Sequence, residues 1–217
     1  MTIIIPSRTI SNLIPCVNAI QKHEPDARII VVDDGLGSWE FWNRGVVSIP
    51  GVKPFVYARN VNLGIVAAGD DDVVLLNDDA ILKTPGGLTI IRWDGDKDNG
   101  KRYGVIAATC NNVGNVNQHP KSVGLRYEPR MVCFVAVYIP RSTIDKVGLL
   151  DERFTGYGSE DDDYCRRVRE AGLKIGIHDG CYVDHGSLRS TFRGDPKSGG
   201  SIVANKLIYR QKWGDLN

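Results

Sequence analysis

The sequence lacks a charge excess of either sign, since 27 Lys and Arg residues face 26 Asp and Glu residues among its 217 residues. Proteins that bind mainly to nucleic-acid phosphates or to anionic membranes usually carry a strong positive excess. The sequence also lacks an uncharged apolar run near the roughly 20 residues of a membrane span, and its N-terminus has no signal-peptide pattern. We therefore expect a cytoplasmic protein with no transmembrane anchor.

Cysteine is scarce and has no regular spacing. The chain has five cysteines and no C-x-x-C pair, which suits a reducing compartment and disfavours a zinc site. The rest of the composition, 42% hydrophobic and 24% charged, is that of an ordinary globular protein. This length allows one large domain or two small ones. We expect a single domain over residues 1–217.

Short β-branched segments alternate with helical apolar spacing in the first half of the chain. The predicted strands there cover residues 2–5, 27–32, 52–57 and 73–76. Strands separated by helices are typical of a parallel sheet covered on both faces. The second half is predicted to add strands at 103–109, 131–139, 174–177 and 182–183, helices at 142–147, 160–171 and 202–213, and a polar loop at 94–102. The expected fold class is α/β, with a Rossmann-like, mostly parallel central sheet flanked by helices.

Oxygen-bearing side chains follow two of these strands. Asp33 and Asp34 end one strand, and Asn77, Asp78 and Asp79 end another. Aspartate at a strand end is often only a turn residue. Ligands of parallel sheets, however, bind at the carboxyl ends of the strands, and Asn77 and Asp79 share one face of an extended segment. Such a set suits Mg²⁺ or Mn²⁺ that also contacts a diphosphate, with Asp33 accepting a hydrogen bond from a nucleobase.

A run of four carboxylates, Glu160-Asp161-Asp162-Asp163, follows a glycine-bracketed loop. Acidic residues favour the first turn of a helix, and Ser159 is a suitable N-cap, so the run has a structural explanation. Four adjacent carboxylates nevertheless repel one another and exceed what capping needs. One of them is therefore a candidate general base.

The Asp184-His185 pair follows a short predicted strand. A lone histidine is more often structural than a ligand. In a chain that also offers Asp79, His185 becomes a candidate metal contact.

Taken in order, these motifs resemble the family-2 glycosyltransferases of the GT-A fold. Each motif is weak alone, but their order and spacing over most of the chain are specific. The segments that carry the resemblance are IIIPSR at 3–8, IVVDDG at 30–35, NVNLG at 60–64, LLNDD at 75–79, KVGLLDERF at 146–154, GSEDDD at 158–163 and KWG at 212–214. One departure is Asn77, where many relatives have Asp.

The resemblance implies a metal-dependent, inverting transfer of a sugar from a nucleotide-diphosphate sugar to a hydroxyl. Asp33 would accept from N3–H of uracil or thymine, which favours a UDP- or dTDP-sugar. Asp79 and His185 would bind Mn²⁺ or Mg²⁺, and Asp161, with Glu160 as a rival, would be the general base. The remaining residues expected near the nucleotide are Pro6, Ser7, Arg8, Asn62, Gly64, Asn77 and Asp78. Arg189 or Arg193 could assist the diphosphate.

The resemblance divides the chain into a nucleotide-binding half, residues 1–79, and an acceptor-binding and catalytic half, residues 80–217. The acceptor hydroxyl could belong to a carbohydrate, a protein or a modified nucleobase. Two alternatives stay open: an inactive GT-A-like module that binds nucleotide or glycan, and a nucleotidyltransferase. The second is disfavoured because the first strand-to-helix turn has no glycine-rich phosphate loop.

Overall fold

The structure is a computed structural model that describes residues 1–36, 45–97, 103–122, 124–156, 158–188, 190 and 198–214. Its first four strands are β1 (Thr2–Ser7), β2 (Arg28–Asp33), β3 (Val46–Pro50) and β4 (Val73–Leu76). They are parallel neighbours in the order β3-β2-β1-β4. Helix α1 (Ile10–His23) joins β1 to β2, and α2 (Tyr57–Ala68) joins β3 to β4. This half confirms the predicted parallel sheet with helical crossovers.

One strand in this half was predicted at the wrong place. The third strand is β3, and the segment 52–57 instead enters α2, with Val56 as its N-cap. Pro50 ends β3, and Pro54 cannot donate to a sheet ladder, so the apolar residues between them do not extend the strand.

The second half of the sheet is mixed. It contains β5 (Ile81–Leu82), β6 (Tyr103–Cys110), β7 (Leu125–Glu128), β8 (Ala136–Ile139) and β9 (Lys174–Asp184). β8 is antiparallel to β4 and β6, β9 is parallel to β6, and β5 and β7 are antiparallel to β9. Among the described strands, every pair of the first half is parallel, and β6 with β9 forms the parallel pair of the second half. The two short strands predicted near 174–183 form the single strand β9.

Four further helices cover the sheet. They are α3 (Gly87–Lys97), α4 (Arg141–Val147), α5 (Glu160–Glu170) and α6 (Ser198–Trp213). The loop predicted at 94–102 is wrong for residues 94–97, which continue α3. The Asp94 carboxylate accepts a 2.8 Å hydrogen bond from Nε2 of His178 on β9, which holds this end of α3 against the sheet. Residues 98–102 lie outside the described part of the chain. No helix in the described ranges is long and apolar enough to span a bilayer.

Alternating side chains of the buried strands form two apolar layers. Ile4, Ile30 and Val32 pack in the layer that contains α2, whereas Ile3 and Ile5 pack in the layer that contains α1. Strands buried on both faces are typically near-continuous apolar runs, which explains the sequence pattern of β1, β2 and β4.

The topology brings the predicted site residues to one edge of the sheet. β1, β2 and β4 are parallel, so Ser7, Asp33 and Asn77 end at the same side. β5 begins two residues after Asp79 and pairs Ile81 with Asp184 of β9. This register carries the residue after Asp184 towards Asp79, across more than 100 positions of sequence.

Candidate active site

A cavity of about 610 Å³ opens at this edge of the sheet. The end of β1, the loops after β4, β6 and β9, the segment before β8, the start of α5 and part of α6 form its walls. The predicted site residues that line it are Pro6, Asn77, Asp78, Asp79, Glu160, Asp161 and His185. The structure therefore brings the metal candidates and the base candidates to a single cavity.

Asp79 and His185 face each other inside the cavity. The Nε2 atom of His185 lies 3.2 Å from Oδ1 of Asp79, and both residues are almost fully buried. Nδ1 of His185 lies 2.6 Å from the carbonyl oxygen of Asn112. A carbonyl oxygen only accepts, so Nδ1 carries a proton and donates it there. Nε2 is then the nitrogen presented to the Asp79 carboxylate.

The orientation of His185 is fixed by residues that the sequence did not single out. The side chain of Asn111 accepts from the His185 backbone N–H at 2.8 Å and donates to Asp184 at 2.9 Å. Asp184 in turn accepts from the N–H groups of Gly186 and Ser187. Asparagine after a strand gives no sequence signal of its own, because it is also an ordinary turn residue.

The Asp79–His185 pair fits a divalent cation. With Nδ1 as the protonated nitrogen, the Nε2 lone pair of His185 faces the Asp79 carboxylate. Two electron-rich groups this close repel each other unless a cation binds both of them. That cation is either a metal ion or a proton on Nε2, which would make the two residues an ion pair. A hydrogen bond from the other ring nitrogen to a carbonyl oxygen is usual for metal-bound histidine. Within the described ranges, however, no group of three or more His, Cys, Asp or Glu side chains could hold a metal. Mg²⁺-type sites commonly complete such partial sets with substrate phosphates and water.

Asp78 is held by a hydrogen bond from the first strand. The Ser7 hydroxyl donates to Asp78 at 2.6 Å, and both side chains are buried. Burial raises the pKa of Asp78 to about 6, helped by the charge of Asp79 and opposed by the hydrogen bond from Ser7. Ser7 therefore acts on the site through Asp78, and Ser7 itself does not line the cavity.

The start of α5 presents Glu160, Asp161 and Asp162 to the cavity. The residue before them, Ser159, has φ 74°, a left-handed conformation that is uncommon for a non-glycine residue. Ser159 occupies the predicted N-cap position of α5, but its side chain makes no capping hydrogen bond. Backbone strain of this kind clusters at functional sites.

The three carboxyl groups at the start of α5 all have raised pKa values. Burial raises the pKa of Glu160 to about 7, and it raises the pKa of Asp161 well above its usual range, reinforced by the charges of Glu160 and Asp162. Burial also raises the pKa of Asp162, against the positive charges of Arg130, Arg169 and Lys206. Carboxyl groups whose pKa lies near neutral pH are the ones suited to general acid–base work.

Asp163, the last residue of the acidic run, is structural. It is fully buried and accepts from Trp213 Nε1 at 2.7 Å and from Arg167 Nε at 2.9 Å. Lys212 lies 2.7 Å from the same carboxylate. Asp163 thus ties α5 to the end of α6 and has no access to the cavity.

Asp33 lies at the end of β2, away from the cavity lining. Its Oδ1 atom accepts from the backbone N–H groups of Gly35 and Leu36, both at 2.7 Å. This is the turn role that aspartate commonly has at a strand end. Arg8 is near the same region, with its guanidinium 6.0 Å from the centre of the Phe55 ring, and Phe55 lines the cavity.

Asn62 and Gly64 are placed away from the cavity. Asn62 is buried and clamps Leu150 by donating to its carbonyl oxygen and accepting from its N–H, both at 2.9 Å. Gly64 allows α2 to approach β1, because a methyl group there would overlap the Ile4 side chain. Both residues hold elements together. Arg189 and Arg193, expected to assist the diphosphate, lie outside the described residues.

The wall formed by the segment before β8 was not predicted from the sequence. The buried Gln118 side chain makes two hydrogen bonds to the backbone of Cys133. It accepts from the Cys133 N–H at 2.6 Å and donates to the Cys133 carbonyl oxygen at 3.1 Å. Asn115 donates to Met131 at 2.7 Å. These contacts fix the segment before β8, which lines the cavity beside Glu128.

Comparisons with known proteins agree with this architecture. A family model described as the N-terminal domain of galactosyltransferase matches residues 121–190, less than half of the chain, and this match includes the acidic run and His185. Curated proteins give no match to the sequence.

Three solved structures share the fold at low sequence identity. GalNAc-T7 with UDP, GalNAc and Mn²⁺ has a TM-score of 0.77 and 14% identity over 99% of this chain. The mannosyltransferase PcManGT from Pyrobaculum calidifontis, in complex with GDP-Man and Mn²⁺, has a TM-score of 0.71 and 12% identity over 100% of this chain. S. aureus TarS 1–349 has a TM-score of 0.62 and 13% identity over 83% of this chain.

The chain has the GT-A fold of these glycosyltransferases, which confirms the expected fold class. It spans 48%, 65% and 59% of the length of the three chains, in the order given. The resemblance to family 2 in particular stays a prediction.

Proposed function

We propose that this chain is a metal-dependent glycosyltransferase that moves a sugar from a nucleotide-diphosphate sugar to a hydroxyl acceptor with inversion. The observation that carries the proposal is the shared cavity, in which the Asp79–His185 pair and the Glu160–Asp161 pair face the same space. The first pair suits a cation on a diphosphate, and the second suits deprotonation of a hydroxyl. A metal-dependent, inverting transfer of a sugar from a nucleotide donor needs both.

The donor half is residues 1–79. Asp79 and His185 would hold Mn²⁺ or Mg²⁺, which supplies charge neutralisation to the departing diphosphate. Mn²⁺ is present in two of the similar structures, one with UDP and one with GDP-Man. Asn77 and Asp78 would lie near the ribose or the waters of the ion. We infer a UDP- or dTDP-sugar donor from Asp33 as acceptor for the base, with Pro6, Ser7 and Arg8 around the nucleotide.

The acceptor half is residues 80–217. We assign the general base to Asp161, with Glu160 as the rival that shares its environment. In a single displacement with inversion, the base must lie on the face of the sugar opposite the diphosphate. The acidic run on α5 and the carboxylate at the end of β4 come from different elements of the cavity wall, as this requires. The acceptor is the hydroxyl of a carbohydrate, a protein or a modified nucleobase.

A donor screen tests the proposal. Purified protein is incubated with UDP-, dTDP- and GDP-sugars in the presence of Mn²⁺, Mg²⁺ or EDTA, and released nucleotide is measured for the wild type, Asp79→Ala and Asp161→Ala. The matched control is Asp145→Ala, which removes an exposed aspartate from α4. We expect metal-dependent release from one donor, lowered roughly 10²–10⁴-fold by Asp161→Ala, the usual contribution of a general base.

Two other outcomes identify the alternatives. Release of pyrophosphate from a nucleoside triphosphate, with no release from any nucleotide sugar, would identify a nucleotidyltransferase. Nucleotide binding without release from any donor, even with a panel of saccharide acceptors, would identify a binding module. Either result contradicts the proposed function.

A further inference from the structure

Asn205 is a fully buried polar residue on α6 that the mechanism above does not use. Its side-chain amide makes three hydrogen bonds, all to the loop that precedes α5. The amide nitrogen donates to the carbonyl oxygens of Thr155 at 2.9 Å and Gly158 at 2.7 Å. The amide oxygen accepts from the backbone N–H of Thr155 at 3.2 Å. An asparagine side chain can satisfy both kinds of backbone group at once, which few side chains can do.

The loop that Asn205 holds has an unusual backbone. Gly156, Gly158 and Ser159 all have positive φ values, of 73°, 99° and 74°. A non-glycine residue in this conformation persists only when its surroundings enforce it. The loop makes one sheet-like bridge, between Gly156 and Val56. The hydrogen bonds to Asn205 are therefore a principal restraint on a loop that ends where Glu160 begins.

Ser201, one turn before Asn205 on the same helix, packs against this loop as well. A Cβ atom added at Gly156 would lie 2.5 Å from Cβ of Ser201, so α6 and the loop approach each other more closely than a larger residue allows. The far end of α6 grips α5 through Trp213 and Lys212, which both contact Asp163. α6 thus fixes the start of α5 from two directions, before and after the cavity carboxylates.

We propose that Asn205 is a positioning residue that sets the direction in which Glu160 and Asp161 face the cavity. The inference rests on the proposed function, because it gives these carboxylates the role of base. Asn205 does not line the cavity. Its three hydrogen bonds hold the left-handed turn from which the two carboxylates project. A displacement of about 1 Å at a reacting group can lower a rate roughly 10²-fold.

The test uses Asn205→Asp, a change of nearly equal volume that retains the acceptor for Thr155 and replaces the donors to Thr155 and Gly158 with an oxygen. Asn205→Ala removes all three bonds and serves as the second variant. The control is Val203→Ala, on the exposed face of the same helix, where the side chain is 63% exposed. Transfer rate, its pH profile, affinity for UDP with Mn²⁺, and amide hydrogen exchange over residues 158–162 are measured for each protein.

We expect Asn205→Asp to lower the rate about 10–100-fold, to shift the midpoint of the pH profile and to accelerate exchange at 158–162, with UDP affinity within twofold of wild type. Val203→Ala should leave all four unchanged. A rate for Asn205→Asp equal to that of Val203→Ala overturns the inference. So does a parallel fall in rate and UDP affinity in both Asn205 variants, because general loosening of the fold would explain it.

Failure of the proposed function is separable from failure of this inference. If the wild-type protein releases no nucleotide from any donor, the proposed enzymatic function is contradicted, but the positioning role of Asn205 is not. In that case the NMR titration of the Glu160 carboxyl carbon decides. An altered midpoint in the neutral variant Asn205→Ala, with the wild-type midpoint kept in Val203→Ala, supports positioning by Asn205, and equal midpoints in all three proteins overturn it.

Discussion

At the scale of single residues, the backbone carbonyl of Asn112 has a large effect on the site. By accepting from Nδ1 of His185, it leaves Nε2 as the atom that meets Asp79 at 3.2 Å. The ring nitrogen Nδ1 is therefore bound by a backbone carbonyl oxygen and not by a side-chain carboxylate. This hydrogen bond also keeps the pair ready to receive a cation at an almost fully buried position.

Substitutions at Asp33 can distinguish a structural role in the turn after β2 from a role in nucleotide binding. Asp33→Asn retains an oxygen for the N–H groups of Gly35 and Leu36 and removes the negative charge, whereas Asp33→Ala breaks the turn. If Asp33 also accepts from a nucleobase, we expect Asn to weaken nucleotide affinity roughly tenfold, about 1.4 kcal/mol, with an unchanged melting temperature. Calorimetric titration with UDP measures this. Full affinity in Asp33→Asn, with a lowered melting temperature only in Asp33→Ala, would leave Asp33 as a turn residue.

Glu160 gives a pH prediction with a definite sign. Its pKa is raised to about 7, so the folded protein binds more protons than the unfolded chain between about pH 4.5 and 7. Stability should therefore fall as the pH rises through this window. Glu160→Gln removes the free-energy cost of a buried, ionised carboxylate. The melting temperature of this variant should therefore exceed that of wild type at pH 8 and approach it at pH 4. Equal differences at both pH values would contradict the raised pKa.

The predicted site residues that the structure brings to the cavity include those with the clearest chemical signature. Asp79, Glu160, Asp161 and His185 stand out as oxygen or imidazole groups next to apolar strands or glycines, and all four line the cavity. Asn205 could not be found in this way. Its role comes from burial and from a loop about 50 positions earlier in the chain, neither of which an isolated asparagine reveals.

At the scale of elements, the two-residue strand β5 has an effect out of proportion to its length. Its pairing of Ile81 with Asp184 fixes the distance between Asp79, two residues before it, and His185, directly after β9. This strand could not be predicted, since two apolar residues carry no periodic signal. The longer strands β1, β2 and β4 were predictable because burial on both faces requires continuous apolar runs.

The contact between α2 and β1 predicts the effect of a single methyl group. Gly64→Ala would overlap the Ile4 side chain, and overpacking of this kind costs roughly 1–3 kcal/mol of unfolding free energy. Gly200→Ala is the control, because a Cβ atom there has no neighbour within 4 Å. Urea unfolding should show a loss for Gly64→Ala and none for Gly200→Ala. Equal stability of the two variants would contradict the close packing of α2 on β1.

At the scale of the whole molecule, the sheet combines a parallel half and a mixed half. The parallel half was predictable in part, because helices of recognisable spacing join β1 to β2 and β3 to β4. The mixed half was not, since β7, β8 and β9 pair with strands far away in sequence, and local pattern carries no information on such pairing. The cavity forms where the two halves meet, so its walls could be predicted only in part.

The central claim is that Asp79 and His185 bind a cation on the donor while Asp161 acts on the acceptor. Calorimetric titration of UDP, dTDP and GDP, each with Mn²⁺ or EDTA, into wild type, Asp79→Asn, Asp161→Asn and the control Asp145→Asn tests it most directly. We predict that EDTA and Asp79→Asn each lower the affinity for the preferred nucleotide at least tenfold, and that Asp161→Asn and Asp145→Asn retain it. Nucleotide affinity that is the same with Mn²⁺ and EDTA, and the same in Asp79→Asn as in wild type, would contradict the claim.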